Sequence, residues 1–327
     1  MLHSIPDVQA AVASGRSLLL AGSAAALRQL PRGNWIAGTI PYFMDTRGVC
    51  VEDRIFVTDL PDCATETSIA VYSTAALPTI CVDAPANGFS VLIVPSGSAA
   101  HAAYAENAPT YDGIFVRPVV GWVAGVHLSR IGAEQPLVFD GRTATAHADA
   151  AVVMHVTLPP DKLADLAIVN VFSPREGSDR ISFASSGFSA TECLVNGSPA
   201  NLARYIEANG IDPSLPLTAA YGCSLVNVSV QRVDAGAGRV DFYAPVFPGI
   251  EYQFAAPVER LDQAFAAVAA ETTSPPAFAC NCILNYVHGG LEGRRLDGLD
   301  GPFTFGEIAH QLLNQTYVEL RVRDRAA

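Results

Sequence analysis

Two cysteines separated by one residue, Cys280 and Cys282, have the spacing that most directly suggests chemistry. On a β-strand, residues i and i+2 share a face, so both thiols would point toward one ligand or one metal ion. A zinc ribbon needs a second pair of cysteines or histidines at metal-ligand spacing, and the sequence contains none. The two alternatives are therefore a functional thiol pair and two buried structural thiols.

Three histidines are candidates for a haem or metal ligand: His127, His155 and His288. His288 adjoins Gly289 and Gly290, which would permit the close approach of a cofactor. His127 and His155 fall in apolar segments that read as strands. At each position the alternative is a hydrogen-bonded histidine without a ligand, because no HxH or HxxxH pattern accompanies them.

Glu307 follows Thr304 by three residues, at the beginning of an apolar run. The Thr-x-x-Glu spacing is typical of a capping box, in which the two side chains satisfy amides at the beginning of a helix. It predicts a helix over residues 304–313. The free amides of such a helix, near Gly306, would also be able to bind an anion. Glu307 is thus either a helix cap or part of a binding site.

A serine-rich turn, from Ser96 to Ser98, joins a predicted strand over residues 89–94 to a predicted helix over residues 101–107. Such a turn can present a nucleophile or a phosphate cradle. The G-x-S-x-G, G-x-G-x-x-G and P-loop patterns are absent from the sequence. The turn is therefore interpreted as a cap for the helix that follows.

The composition is that of a folded globular chain. Half of its 327 residues are hydrophobic and 16% are charged, which excludes intrinsic disorder. The net charge of −12 and the absence of a basic stripe argue against nucleic-acid binding. Apolar stretches are shorter than the roughly 18 to 20 residues of a membrane span, and no secretion signal is seen. A soluble, cytoplasmic protein with unpaired cysteines is expected.

Runs rich in β-branched residues alternate with shorter helical segments, which predicts an α+β fold. Asp140-Gly141 predicts a hairpin that joins strands over residues 137–139 and 150–158. Pro159-Pro160 is the predicted boundary between a domain over 1–160 and a domain over 161–327, which could also form one fused unit. The expected architecture has two similar halves, with sheets packed face to face and helices outside. Helices are predicted over residues 7–14, 23–30, 101–107, 200–209, 258–270 and 304–313.

The C-terminal half resembles the C-terminal domain of the FIST family of bacterial sensory modules. The resemblance is carried by residues 186–188, 193–197, 202–205, 216–217 and 242–246, Gly249, the Cys280-Asn281-Cys282 strand, Gly306-Glu307, and the Leu-Asn-Gln-Thr run at 313–316. The N-terminal domain of that family is resembled more loosely, through residues 34–39, Gly121, Gly125 and residues 138–141. The resemblance implies a sensory protein that binds a small ligand and signals through a separate protein. Some members of the family bind haem and sense nitric oxide.

The expected function is non-catalytic binding of a small molecule in a cleft lined by the cysteine strand and the residues around Gly306. Cys280, Cys282 and Glu307 would lie at this cleft, with Asn281 and Arg294 as polar contacts. Three alternatives remain open. One is a haem-based gas sensor that uses His127, His155 or His288. Another is an enzyme with a Cys280 or Cys282 thiolate whose pKa Arg294 or Arg295 would lower, and the third is a scaffold protein that binds no ligand.

Overall fold

The computed structural model describes residues 1–221, 224–269, 276–296 and 298–325. Strands prevail over helices in these ranges, which confirms the predicted α+β class. No helix among the described residues has the length and hydropathy to cross a membrane. Cys223 and residue 270, the last of one predicted helix, lie outside the described residues.

The first unit of the fold covers residues 2–59. Its elements in chain order are β1 (Leu2–Ser4), α1 (Ile5–Ala13), β2 (Leu18–Gly22), α2 (Ala24–Leu27), β3 (Trp35–Thr39), β4 (Tyr42–Met44), β5 (Gly48–Cys50) and β6 (Arg54–Asp59). Both helices begin at a serine cap, because the Ser4 and Ser23 side chains accept hydrogen bonds from backbone N–H groups of the first turn.

The second unit covers residues 66–157. Its elements are β7 (Glu66–Tyr72), α3 (Ile80–Asp83), β8 (Gly88–Pro95), α4 (Ala99–Asn107), β9 (Val119–Ala124), β10 (Val138–Asp140), β11 (Thr145–His147) and β12 (Ala151–Thr157). Short 3-10 helices lie at Thr74–Thr79, Ala108–Thr110 and Leu128–Arg130. Ser98 caps α4, as the sequence predicts, since its hydroxyl accepts a hydrogen bond from the His101 N–H at 3.0 Å.

The third unit begins with β13 (Lys162–Val169) and resumes after an insertion over residues 170–277. The insertion contains β14 (Ile181–Ser182), β15 (Gly187–Ala190), β16 (Glu192–Val195), β17 (Ser198–Asn201), α5 (Leu202–Ala208), β18 (Leu217–Tyr221), β19 (Ser224–Val228), β20 (Val230–Asp234), β21 (Arg239–Val246), β22 (Tyr252–Phe254) and α6 (Leu261–Ala269). The third unit then adds β23 (Phe278–Cys282), α7 (Ile283–His288), β24 (Gly301–Thr304), β25 (Glu307–Ala309), β26 (Gln311–Leu313) and β27 (Tyr317–Asp324).

The three units build three six-stranded sheets with one shared strand pattern. Their orders are β1-β6-β2-β3-β10-β11, β7-β12-β8-β9-β25-β26 and β13-β27-β23-β24-β4-β5. In each sheet the central pair is parallel and is joined by a helix: β2 with β3, β8 with β9, and β23 with β24. The other strand pairs of these sheets are antiparallel. The described chain therefore contains one strand–helix–strand arrangement three times.

Each unit gives a hairpin to the sheet of another unit. The β4–β5 hairpin of the first unit pairs with β24, the β10–β11 hairpin of the second pairs with β3, and the β25–β26 hairpin of the third pairs with β9. The predicted domain boundary at Pro159-Pro160 stays a prediction. The sheet that contains β13, β24 and β4 draws strands from both sides of it.

The sheets pack face to face, with helices on their outer faces, as predicted, but the described chain has three similar units where two similar halves were expected. In β2, Leu19 and Ala21 point into the core that the sheets share, while Leu18 and Leu20 pack with the helices α1 and α2. This alternation is that of a strand buried on both faces. β8 repeats it: Val91 and Ile93 belong to the shared core, while Leu92 and Val94 pack toward α3 and α4.

Five of the six predicted helices overlap helices of the structure, and the sixth is wrong. Residues 304–313 form the end of β24 and the β25–β26 hairpin. The helices α3 and α7 were not predicted from the sequence. The Asp140-Gly141 turn does begin a hairpin, but β10 pairs with β11, whereas β12 joins the neighbouring sheet between β7 and β8.

Candidate functional site

The carboxyl ends of the three parallel strand pairs define the candidate site. The second strand of each pair runs into the same region, and the backbone links them there. Gly125 N donates to the Thr39 carbonyl oxygen at 2.7 Å, Phe305 N donates to Val123 O at 3.1 Å, and Val123 N donates to Gly306 O at 2.8 Å. In open α/β sheets, ligands bind just beyond the carboxyl ends of parallel strands. Here three such ends meet.

A groove follows the loop over residues 125–136 across this junction. At one end, beside Ser23, Thr39 and His127, it forms a depression of about 260 Å³. It continues past Val126 and Gln135 and opens into the main cleft, which has a volume of about 630 Å³. The main cleft lies between the Ser96–Ser98 turn, the Cys282 end of β23 and the β21 strand of the insertion.

Cys282 is the predicted site residue that reaches the main cleft. It ends β23 and precedes α7, and its side chain is almost fully buried. The Glu307 carboxyl group and the backbone N–H groups of Leu284 and Gln315 lie beside its sulfur. Burial and the neighbouring Glu307 raise the pKa of the Cys282 thiol well above 9. The thiol is therefore protonated at neutral pH.

Glu307 lies beneath Cys282, on β25, with none of its surface exposed. Its Oε2 accepts hydrogen bonds from Thr316 Oγ1 at 2.8 Å and from Thr316 N at 3.2 Å. Its Oε1 has no partner among the described residues. Burial raises the pKa of Glu307 to about 8, so the carboxyl group is mostly neutral at pH 7. A buried carboxyl group with a strongly raised pKa is a marker of functional sites as well as of stored strain.

The predicted capping role of Glu307 is wrong, because no helix begins here. Thr304 Oγ1 lies at 3.2 Å from the Asn281 carbonyl oxygen and 3.0 Å from that of Gly306, and it bonds to them. Gly306 lies between two strands, and a Cβ at this position would approach Leu312 Cδ1 to 2.9 Å. Gly306 therefore permits the close packing of β25 and β26 and does not offer a helix terminus for an anion.

Cys280 and Asn281 stabilise the strand and do not line the cleft. The Cys280 thiol donates to the Gly121 carbonyl oxygen at 3.3 Å, and burial raises its pKa well above 9. The Asn281 side chain folds back on its own strand end, since its Oδ1 accepts from Cys282 N at 2.8 Å and from Asn285 Nδ2 at 2.9 Å. The two thiols of the cysteine pair thus have different surroundings, and only that of Cys282 is at the cleft.

Arg294 lies on the outer surface, away from the cleft. Its side chain is 59% exposed and its Nη1 is 4.0 Å from Asp262 Oδ2. Its carbonyl oxygen accepts a hydrogen bond from Gly48 N. Arg294 therefore does not line the main cleft, because the 289–296 segment packs against the β4–β5 hairpin.

The three candidate haem ligands lie on separate elements. His155 is buried on β12, where its Nε2 bonds to Tyr72 Oη at 2.9 Å and its Nδ1 to Ser90 Oγ at 2.8 Å, so neither nitrogen is available to iron. His127 follows β9, bonds to Ser129 Oγ at 2.7 Å and stacks on Tyr42. His288 is the exposed last residue of α7. The residues that the structure describes include no cluster of three or more metal-ligating side chains.

Two further side chains of the cleft have unsatisfied polar atoms. His101 of α4 and Asn314, which follows β26, line the main cleft. His101 Nε2 and Asn314 Oδ1 are buried and have no hydrogen-bond partner within the described ranges. Sequence reasoning missed them as a pair, since about 200 residues separate them and neither has a motif. The serine turn before α4 was the available signal for that wall of the cleft.

Residues 3–323 match the model of a family of unknown function, DUF6976, and the chain belongs to that family. The resemblance to the FIST family is wrong, because the matching family is a different one and no FIST domain is found. The motifs that carried the resemblance are short, and they are explained by the local backbone structure that they form. Asn196-Gly197, for example, is a tight turn with positive φ at both residues, of the kind that joins any two antiparallel strands. No curated protein and no solved structure matches the chain.

Proposed function

We propose that the protein binds a small molecule in the main cleft without transforming it chemically. The observation that carries the proposal is the cleft itself, a concave space of about 630 Å³ beside the parallel strand ends of the second and third units. Sites for drug-sized ligands measure about 300 to 1,000 Å³ and are mostly apolar with a few well-placed polar groups.

The walls of the cleft have that character. Apolar and aromatic side chains from the second unit, the third unit and the insertion line much of it: Ala102, Leu128, Ile131, Phe188, Phe242, Ile283, Leu284, Val287 and Phe305. The polar groups that line the cleft include the Cys282 thiol and the His101 and Asn314 side chains. A ligand that replaces water here would bury apolar surface and satisfy buried polar atoms.

Binding without catalysis agrees with the state of the two cysteines. A nucleophilic cysteine needs a low pKa and access to its substrate. Burial raises the pKa of both thiols, and the neighbouring Glu307 raises them further. The arginines that were expected to activate them lie elsewhere: Arg294 is beside Asp262, and Arg295 bonds to Asp300. The sensory role came from the FIST resemblance and is not part of this proposal.

The test is a fragment screen by ligand-observed NMR with two matched tryptophan variants. Val287 lines the cleft and is 47% exposed, whereas Val82 is 74% exposed on α3 and lines no part of the cleft. Val287→Trp should fill part of the cleft without disturbing the core. Fragments that bind the wild type and Val82→Trp but not Val287→Trp would support the proposal. A screen in which no fragment distinguishes the two variants would contradict it and favour a scaffold protein.

A further inference from the structure

We infer that the main cleft takes an uncharged ligand with an amide-like pair of hydrogen-bonding groups on a flat apolar body. The inference rests on the proposed function and adds the chemical class of the ligand to it. It follows from the charges that line the cleft, the two unsatisfied polar side chains, and the apolar wall between them.

The charged side chains that line the cleft neutralise each other. Arg239 and Asp241 are its charged lining residues, and Arg239 Nε lies 2.6 Å from Asp241 Oδ1. Asp241 also pairs with Arg232 at 3.2 Å, and Arg232 lies 3.8 Å from Asp234, so two arginines face two aspartates here. A charged ligand would lose hydration in the cleft and find no unpaired opposite charge there, which is costly. An uncharged ligand avoids this loss.

His101 supplies a hydrogen-bond donor. Gly97 N donates to His101 Nδ1 at 3.4 Å, which places the ring hydrogen on Nε2. Burial lowers the pKa of His101 to about 4, so the ring is neutral at pH 7. The buried Nε2–H group has no acceptor in the described part of the chain. A carbonyl oxygen of a ligand would satisfy it.

Asn314 supplies a hydrogen-bond acceptor. Its side chain is buried, with 1% of the residue exposed, and its Nδ2 donates to the Leu313 carbonyl oxygen at 2.9 Å. This orientation leaves Oδ1 as the unsatisfied atom. An N–H group of a ligand would satisfy it. A buried polar atom without a partner costs about 1 to 3 kcal/mol, so a ligand that pairs with it gains affinity.

A primary amide carries both complementary groups, a carbonyl oxygen for His101 and an NH₂ group for Asn314. The apolar body of the ligand would lie against Phe305, Ile283 and Phe188, which line the same cleft. Aromatic walls favour a flat body, since ring planes stack in offset or edge-to-face arrangements. The Cys282 thiol, which is protonated at neutral pH, adds no charge to this wall.

The test compares four probes that share one ring: benzamide, benzoate, benzylamine and toluene. Binding to the wild type, Val287→Trp and Val82→Trp is measured by ligand-observed NMR at pH 7. We expect benzamide to bind with a dissociation constant on the order of millimolar, as suits so small a ligand. It should bind about tenfold more tightly than toluene, because two hydrogen bonds are gained. Benzoate and benzylamine should bind more weakly than benzamide, and Val287→Trp should abolish the benzamide signal.

His101→Phe and Asn314→Leu keep the size of each side chain and remove its polar atoms. Each should reduce benzamide affinity by about threefold to tenfold and leave toluene affinity unchanged. A benzamide affinity that neither variant changes would overturn the inference. The same holds if toluene, benzoate or benzylamine binds as tightly as benzamide in the cleft, or if none of the four probes binds there.

The failure of this inference is distinguishable from the failure of the proposed function. If other fragments bind in a way that Val287→Trp blocks and Val82→Trp does not, the cleft is a binding site and only the amide-like class is wrong. If no compound of any charge shows that difference, the cleft is not a binding site and both proposals fall.

Discussion

Glu307 and Thr316 are joined by two hydrogen bonds to a single carboxylate oxygen, one from the Thr316 hydroxyl at 2.8 Å and one from its backbone N–H at 3.2 Å. The other oxygen, Oε1, is buried without a partner in the described residues. Burial stabilises this carboxyl group in its protonated form, and the two hydrogen bonds from Thr316 only partly oppose that effect. The buried region beneath Cys282 is therefore sensitive to pH.

The stability of the protein should fall as pH rises from 5 to 8, because of Glu307. Its pKa of about 8 in the folded state lies above its ordinary value of 4.5, so the folded state binds more protons than the unfolded state in this window. The free energy of unfolding then decreases with increasing pH, by an amount on the order of a few kcal/mol. Glu307→Gln should remove this part of the pH dependence.

Urea unfolding at pH 5 and pH 8 measures how the free energy of unfolding depends on pH. Glu106→Gln is the control, since Glu106 is exposed on α4. The control should follow the wild type at both pH values. A Glu307→Gln variant whose stability falls with pH as steeply as that of the wild type would show that this carboxyl group is not protonated in the folded protein.

Iodoacetamide should modify Cys50 and Cys63 before Cys280 and Cys282. The first two are partly exposed, whereas the second two are buried. Burial raises the pKa of Cys50 as well, but it raises those of Cys280 and Cys282 far more. Mass spectrometry of peptides after native labelling at pH 6.5 measures the order. Labelling in urea, where all four should react, is the control. Rapid modification of Cys282 in the native protein would instead favour the cysteine-dependent enzyme.

Gly121→Ala should destabilise the protein by more than about 2 kcal/mol, while Gly236→Ala should change its stability by less than about 1 kcal/mol. Gly121 has φ of +154° and lies in the parallel pair of the second unit, where a Cβ would come within 1.7 Å of the Leu92 carbonyl oxygen. At Gly236 the nearest atom, Asp234 Oδ1, is 3.6 Å from such a Cβ. Urea denaturation compares the two. Equal losses would mean that the β8–β9 pair tolerates wider spacing.

His101→Phe and His155→Phe should have opposite effects on stability. His101→Phe removes the buried Nε2, which has no partner in the described residues, and loses only the long 3.4 Å bond from Gly97 N to Nδ1, so the free energy of unfolding should stay the same or rise by up to about 1 kcal/mol. His155→Phe leaves Tyr72 and Ser90 without their buried partner and should cost about 2 to 4 kcal/mol. Thermal and urea unfolding measure both. A large loss for His101→Phe would show that its role is structural.

The sequence patterns predicted the strands better than their partners. The apolar run at residues 89–94 is β8, and the cysteine pair does lie on a strand that ends at the cleft. The alternation of apolar and polar residues and the enrichment in β-branched residues depend on the burial of each residue, which is a local property. The partner of a strand depends on the whole chain. For that reason β12 does not pair with β10 as expected but with β8. β10 pairs instead with β3, in the sheet of the first unit.

The capping box at Thr304 and Glu307 shows how tertiary pairing overrides a local motif. Both side chains could have satisfied helix amides, yet the backbone of Glu307 pairs with Trp122 on one side and Leu313 on the other. Two ladders bury the segment more completely than one turn of helix would. The proximity of the cleft residues His101 and Asn314 could not be predicted from the sequence either, because it also depends on tertiary strand pairing. Only the exchanged hairpin brings β26 beside α4.

The exchange of hairpins has a consequence for how the chain folds. The first hairpin, β4–β5, completes a sheet whose other strands include β24 and β27, near the opposite end of the chain. No unit can complete its sheet until another has been synthesised, so contacts between distant residues dominate. Chains of this kind fold slowly. We therefore expect one cooperative unfolding transition for the three units and no autonomous folding of a fragment that ends before Gly301.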